Sequence, residues 1–251
     1  MCWQALRASV VPSKGGNMRA IRMFAVVGLF AAMAWPAAAQ TEPVTCFGKT
    51  VTILGTDGPD TLDGTEGPDV MHGLGDQDFV FGGTGDGRDW MCGGDGDDNM
   101  EGGRSHDFLD GGLNADVLRG GLGNDKVLGG PGPDHLGGSL GADFVNGGPG
   151  NDRLWNEDEH RHLPSSDTLL GGHGNDFVGM TYGGVSRPPF SGEDVIRGGA
   201  GDDVLWSVWG LDQPEEPGNA DIVDGGSGKD TCYVDSDDTV INCEQITIVI
   251  E

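Results

Sequence analysis

Eighteen aspartates stand at one phase of a nine-residue period in this chain. They fall at Asp60, Asp69 and Asp78, and eleven residues later at Asp89. A strict nine then holds through Asp98, Asp107, Asp116, Asp125, Asp134, Asp143 and Asp152. Asp167 follows after fifteen residues, and Asp176, Asp194, Asp203, Asp212, Asp221 and Asp230 complete the series. Carboxylates stacked at a fixed period repel one another unless a cation lies between them. The chemistry this pattern offers is therefore cation binding by oxygen. Calcium suits it best, because it accepts roughly 6–8 oxygens at ~2.3–2.6 Å in a tolerant geometry, whereas magnesium demands a strict octahedron. Zinc prefers nitrogen and sulfur, which are missing from this phase.

The elements that must hold these carboxylates can be read around them. The unit is G-G-x-G-x-D-x-U-x, with U apolar. Position eight reads Leu62, Met71, Val80, Met91, Met100, Leu109, Leu118, Val127, Leu136, Val145, Leu154, Leu169, Val178, Ile196, Leu205, Val223 and Cys232. Three residues, x-U-x, make a short strand with one side chain directed inward. The glycine-rich remainder turns the chain, because glycine tolerates positive φ and close backbone approach. Two units make one coil of eighteen residues, and stacked coils make parallel ladders. The expected fold is all-β, a parallel β-roll or β-solenoid, with calcium in the turns and short strands capping both ends.

One apolar side chain per unit is a thin core. Burying it yields ~1.5–3 kcal/mol, against ~1–2 kcal/mol of backbone entropy for each of the unit's residues. The coil needs another stabiliser, and ions between turns supply it. Two aspartates cannot fill a calcium shell, so backbone carbonyls must contribute. The candidates are the first and fourth glycines of the unit: Gly93, Gly96, Gly120, Gly123, Gly129, Gly132, Gly147, Gly150, Gly171, Gly174, Gly198, Gly201, Gly225 and Gly228. Successive units alternate between two sides of the coil. Taking the eighteen-residue gaps as two periods, one side carries Asp194, Asp212 and Asp230, and the other carries Val185 between Asp167 and Asp203. Ion sites are then expected to fail around Val185.

These residues resemble the RTX, or hemolysin-type, calcium-binding nonapeptide family. Eight units have a complete GGxG opening, at Gly82, Gly93, Gly120, Gly129, Gly147, Gly171, Gly198 and Gly225. The resemblance covers about 55–233 and implies a parallel β-roll with calcium in its turns. An inserted loop is expected near 156–166 and degenerate units near 180–192 and 207–220. Residues 40–54 and 234–251 are read as caps, in which TVTIL (Thr50–Leu54) and QITIVI (Gln245–Ile250) close the ends. The chain looks like stand-alone secreted members of the family, with no catalytic partner domain.

Residues 1–39 contain no acid and carry Arg7, Lys14, Arg19 and Arg22 ahead of or beside an apolar run, Met23–Trp35, that ends in PAAAQ. This pattern reads as a secretory signal cleaved after Ala39, with Met18 as an alternative start. Thirteen apolar residues are short of the ~20 that span a bilayer. Without the leader and its four bases, 41 acids face 10 bases. Nucleic acid and anionic membranes would repel such a surface. The expected location is extracellular, with no transmembrane span in the mature chain. Four cysteines remain, Cys46, Cys92, Cys232 and Cys243. An even count in an exported chain indicates disulfides, of which Cys232–Cys243 and then Cys46–Cys92 are the expected pairs.

No nucleophile elbow, phosphate loop or zinc-protease motif is present, and no catalytic residue is assigned. Glu157–His162, EDEHRH, holds carboxylates and two histidines and reads as a solvated loop, with a hydrolase site there as the sharper alternative. Position seven is often aromatic: Phe79, Trp90, Phe108, Phe144 and Phe177. Trp90, Phe108 and Phe144 should share one side, partly buried or available to a cell-surface glycan or protein. The expected role is a calcium-folded structural or interaction module, with an adhesive matrix protein as the alternative.

Overall fold

The computed structural model describes residues 43–155, 165–179, 193–207 and 220–248. The leader, Glu157–His162, Val185, Asp212 and the last three residues of the chain lie outside them. The described chain is built from strands alone. A two-strand antiparallel hairpin, β1 (Thr45–Cys46) and β2 (Lys49–Thr50), comes first. Then follow β3 (Ile53–Leu54), β4 (Thr61–Asp63), β5 (Val70–Gly75), β6 (Phe79–Phe81), β7 (Trp90–Asp95), β8 (Asn99–Arg104), β9 (Phe108–Leu113) and β10 (Val117–Leu122). The middle of the roll holds β11 (Lys126–Leu128), β12 (His135–Leu140), β13 (Phe144–Pro149), β14 (Arg153–Trp155), β15 (Thr168–His173) and β16 (Phe177–Val178). The series ends with β17 (Val195–Ala200), β18 (Val204–Trp206), β19 (Ile222–Ser227), β20 (Thr231–Val234), β21 (Thr239–Ile241) and β22 (Gln245–Ile248).

The odd strands from β3 to β21 form one ten-stranded parallel sheet, and the even strands from β4 to β22 form another. Each coil contributes one strand to each sheet. The register places equivalent unit positions side by side, so that Leu118 lies between Met100 and Leu136. The position-eight residues from Leu62 to Cys232 all enter one continuous core, joined by Val234. From Met71 onward the position-eight side chains are essentially inaccessible to water. This is a β-roll of the expected kind.

The eighteen-residue gaps differ from expectation. β14, β16 and β18 are neighbours in the even sheet, and the next described strands, β15, β17 and β19, are neighbours in the odd sheet. Asp167 is therefore followed on its side by Asp194 and Asp221, and Asp176 by Asp203 and Asp230. Among the described residues both ladders run in these steps without interruption. Ladder partners here are 27 residues apart in sequence, nine more than the eighteen of a regular coil. The aspartate ladder itself is continuous on the side of Asp167, with Asp167 donating its N–H to Asp194 Oδ1.

At the ends, β3 and β22 are the outermost strands of the two sheets, and Ile53 of β3 packs against the core. Ile246, in the inward phase beside Cys232, is 51% exposed, and Ile248 is 54% exposed. Disulfides Cys46–Cys92 and Cys232–Cys243 join Cα atoms 5.8 and 6.1 Å apart. The first spans 46 residues and ties the hairpin to β7, which in the loop-entropy picture contributes about 4 kcal/mol.

Because each strand offers one inward side chain, a single truncation opens a cavity that neighbours in a fixed register cannot fill. Leu118→Ala should lower the unfolding free energy of the calcium-loaded protein by about 3 kcal/mol, read by urea denaturation.

Candidate metal centre

Two requirements shape each turn. Its backbone must reverse within a few residues, and its aspartate must sit where the chain enters the strand. In the unit containing Asp98, Gly94 holds φ +124°, and a Cβ there would run into the Leu74 carbonyl of the previous coil. Glycine is needed at this point for both conformation and space.

The aspartates form two continuous ladders. Each carboxylate accepts, through Oδ1, the backbone N–H of the aspartate one coil earlier. On one side Asp60 donates to Asp78 (2.8 Å), Asp78 to Asp98 (2.8 Å), Asp98 to Asp116 (2.8 Å), Asp116 to Asp134 (2.9 Å) and Asp134 to Asp152 (2.9 Å). The ladder continues through Asp176, Asp203 and Asp230. On the other side Asp69, Asp89, Asp107, Asp125, Asp143, Asp167, Asp194 and Asp221 are linked in the same way.

The second oxygen is handled differently. Oδ2 of Asp78, Asp98, Asp107, Asp116, Asp125, Asp134, Asp152, Asp176, Asp203 and Asp230 is buried without a hydrogen-bond donor. Each of these carboxyls is almost wholly screened from water. A buried anionic oxygen without a donor carries a large desolvation penalty.

The first glycine of each unit shows what faces that oxygen. A Cβ on Gly111 would meet Asp116 Oδ2 and, at 2.7 Å, the Gly129 carbonyl oxygen one coil on. The same pair, a carboxylate oxygen and a carbonyl from the next coil, converges on Gly93, Gly120, Gly129, Gly147, Gly171 and Gly198. At Gly225 the carbonyl comes from Asn242. The carbonyls of Gly129 and Gly147 also accept N–H groups from Gly112 and Gly130. The fourth glycines lie apart from this pairing. Gly96, Gly123, Gly132, Gly174, Gly201 and Gly228 abut the carbonyl at the same turn position one coil back, and Gly150 meets both Gly132 O and its own Asp152. The arrangement suits an oxygen-seeking cation: hard oxygens only, one of them anionic and undersatisfied, repeated along both edges of the roll.

On the odd-sheet side the aspartates outlast their glycines. Asp167, Asp194 and Asp221 keep the ladder, but SS, GE and NA precede them where the earlier units have GxGx turns.

Burial drives these carboxyls towards the protonated form, against the opposing effect of the N–H each accepts. Asp116 and Asp221 are pushed up to about 8. Asp107, Asp125 and Asp152 rise to about 7, and Asp89, Asp98, Asp134, Asp176 and Asp203 to about 6.

Two ligand-like residues escape the nine-residue pattern. Asp238 Oδ1 accepts the N–H of Asp221 at 3.0 Å, and Glu244 Oε2 accepts that of Asp230 at 2.8 Å. They continue the two ladders by one rung each. The signals were D-x-U-x at Asp238–Ile241 and E-x-U-x at Glu244–Thr247, hidden because the spacing contracts to eight and six. A second ladder runs outside the first, from the residue before the aspartate. Asp97, Asn124, Asn151, Asn175 and Asp202 accept N–H groups from Ala115, Ala142, Asn175, Asp202 and Lys229 one coil later.

The aromatics fall as expected on the odd sheet, where Trp90 stacks on Phe108 at 5.8 Å. Lys49 covers the Trp90 ring at 4.0 Å and Phe47 packs edge-on against Phe108. These rings hold the hairpin to the sheet.

The sequence matches the RTX calcium-binding nonapeptide repeat, a family described by four copies of the unit, over 54–89, 93–127, 128–158, 164–178, 190–213 and 218–241. The chain belongs to this family. It is a calcium-binding repeat protein, and calcium is its cation. A search of curated proteins found no match.

In the calcium-free roll, these carboxyls hold protons at pH values where the unfolded chain has lost them. That contribution is present below the unfolded pKa near 4 and is lost as pH rises through 6 to 8. With a chelator present, the β-structure lost at pH 8 should be regained on acidification towards pH 5, read by far-UV circular dichroism. A flat profile would show that the carboxyls are not buried unpaired.

Proposed function

We propose that this RTX protein is an exported structural or interaction module that folds on binding several calcium ions. The observation that carries the reading is the two rows of buried Oδ2 atoms, Asp78 to Asp230 on one side and Asp107 and Asp125 on the other, which meet a backbone carbonyl of the next coil at the first glycine of the unit. The ligands would be Asp78, Asp98, Asp116, Asp134, Asp152, Asp176, Asp203 and Asp230 along one edge, and Asp89, Asp107, Asp125 and Asp143 along the other, with the first-glycine carbonyls beside them. Bound calcium would cancel the charge that burial makes costly and would clamp each coil to the next.

Export is supported by the basic and apolar leader and by two disulfides, which persist in oxidising compartments. Among the described residues no helix is long and apolar enough to cross a membrane. No catalytic residue is proposed, and among the described residues the carboxyls that burial raises furthest, Asp116 and Asp221, are rungs of the ladders. The adhesive alternative draws on Phe79 and Phe177, exposed at 42% and 36% on the even sheet, because Trp90 and Phe108 are occupied by the hairpin.

Far-UV circular dichroism of the purified protein during calcium titration should show β-structure appearing cooperatively, with midpoints near ~10⁻⁴–10⁻³ M and little response to magnesium. Asp116→Asn keeps an acceptor for the Asp98 N–H and removes one charge. It should lower the calcium stoichiometry measured by calorimetry while leaving the folded spectrum unchanged. An unaltered stoichiometry would count against Asp116 as a ligand.

A further inference from the structure

The first two turns solve the carboxylate problem without a cation. Their sequences are GTDGPD (Gly55–Asp60) and GTEGPD (Gly64–Asp69), with threonine where most later units have the second glycine. Thr56 donates to Asp60 Oδ2 from its backbone N–H at 2.6 Å and from its hydroxyl at 2.9 Å. Thr65 does the same for Asp69 Oδ2, at 2.6 and 2.9 Å. Each hydroxyl also accepts a backbone N–H, from Gly58 and Gly67, which closes the turn. The equivalent oxygen of Asp78, Asp98 and Asp116 has no donor.

The backbone agrees independently. The second turn position holds positive φ at Gly94, Gly112, Gly121, Gly130 and even Leu74, but not at Thr56 or Thr65. The early turns have a different conformation, in which the N–H of that residue points at the carboxylate. Pro59 and Pro68 restrict the same turns further. Thr52 secures the first rung of the odd sheet, exchanging hydrogen bonds with Val70 through both its backbone and its hydroxyl. The Cys46–Cys92 disulfide encloses all of this.

We propose that residues 46–72 form a cation-independent foundation, on which the calcium-requiring coils from Asp78 onward are stacked. Thr56 and Thr65 are its positioning residues, each supplying with its own N–H and hydroxyl the charge compensation that calcium supplies elsewhere. Asp60 and Asp69 need no ion. The foundation presents a finished strand edge to the next coil, so calcium folds the remainder by extension from one end. The inference rests on the calcium-dependent folding proposed above.

Hydrogen exchange with mass spectrometry on the purified, oxidised protein in excess EGTA tests it. Peptides within 53–72 should exchange at least ~10-fold more slowly than the unfolded reference, while peptides from 98–155 exchange like it. In Thr56→Gly/Thr65→Gly, protection of 53–72 should vanish in EGTA and return with calcium. Thr56→Ser/Thr65→Ser should keep it in both. If 53–72 exchanges freely in EGTA with the rest, and everything gains protection with calcium, the foundation is refuted while calcium-driven folding stands. If every segment is protected in EGTA, calcium-driven folding itself fails. Retained protection in the glycine variant would refute the role of the threonines.

Discussion

Everything in this roll depends on how one carboxylate divides its two oxygens. Oδ1 accepts a backbone N–H from the previous coil, which fixes coil spacing and brings every aspartate into line. Oδ2 is thereby carried into the turn, away from water and, at rungs such as Asp78, Asp98, Asp116 and Asp134, away from donors. The first contact organises the stack and the second destabilises it. A cation that takes up Oδ2 converts the whole row from a source of repulsion into a set of clamps. The outer ladder of Asp97, Asn124, Asn151, Asn175 and Asp202 ties the coils together a second time, close to solvent, where burial costs little.

The thinness of the core follows from the same geometry. A nine-residue unit leaves room for one inward side chain and no second layer, so the apolar contribution grows only in proportion to length. Glycine at the first position is needed for electrostatics as much as for conformation. A methyl group on Gly111 would occupy the point where the Asp116 carboxylate and the Gly129 carbonyl converge. The ends of the roll replace ion chemistry with hydrogen bonding. Thr56 and Thr65 satisfy the first carboxylates, and the Ser207 hydroxyl donates to Asp238 Oδ2 at 2.6 Å beside the last rung of the odd sheet.

Period and phase were legible in the residues. The nine-residue spacing from Asp98 to Asp152, with Met100 to Leu154 at the inward position, dictates alternating strands and a two-sided coil, and the structure has both. The fate of an added period was not legible. Nine added residues preserve phase whatever they form, so phase alone places Val185 and Asp212 in ladders whose described rungs join directly, Asp167 to Asp194 and Asp203 to Asp230. The missing inward residue at Arg187 and Pro214 was the available clue. Asp238 and Glu244 were overlooked for the opposite reason, since their chemistry was right and their spacing was wrong. The division of labour between Oδ1 and Oδ2 lies beyond any sequence pattern, because it arises only when one coil is set upon another.

Small-angle X-ray scattering of the purified protein, with calcium and then with excess chelator at neutral pH, addresses the central claim most directly. With calcium the protein should scatter as a compact particle. On chelation the radius of gyration should rise towards the ~50 Å of an unfolded chain of this length and return when calcium is restored. An unchanged radius in chelator would mean that the buried carboxylates are compensated by something other than a cation, and would contradict the account.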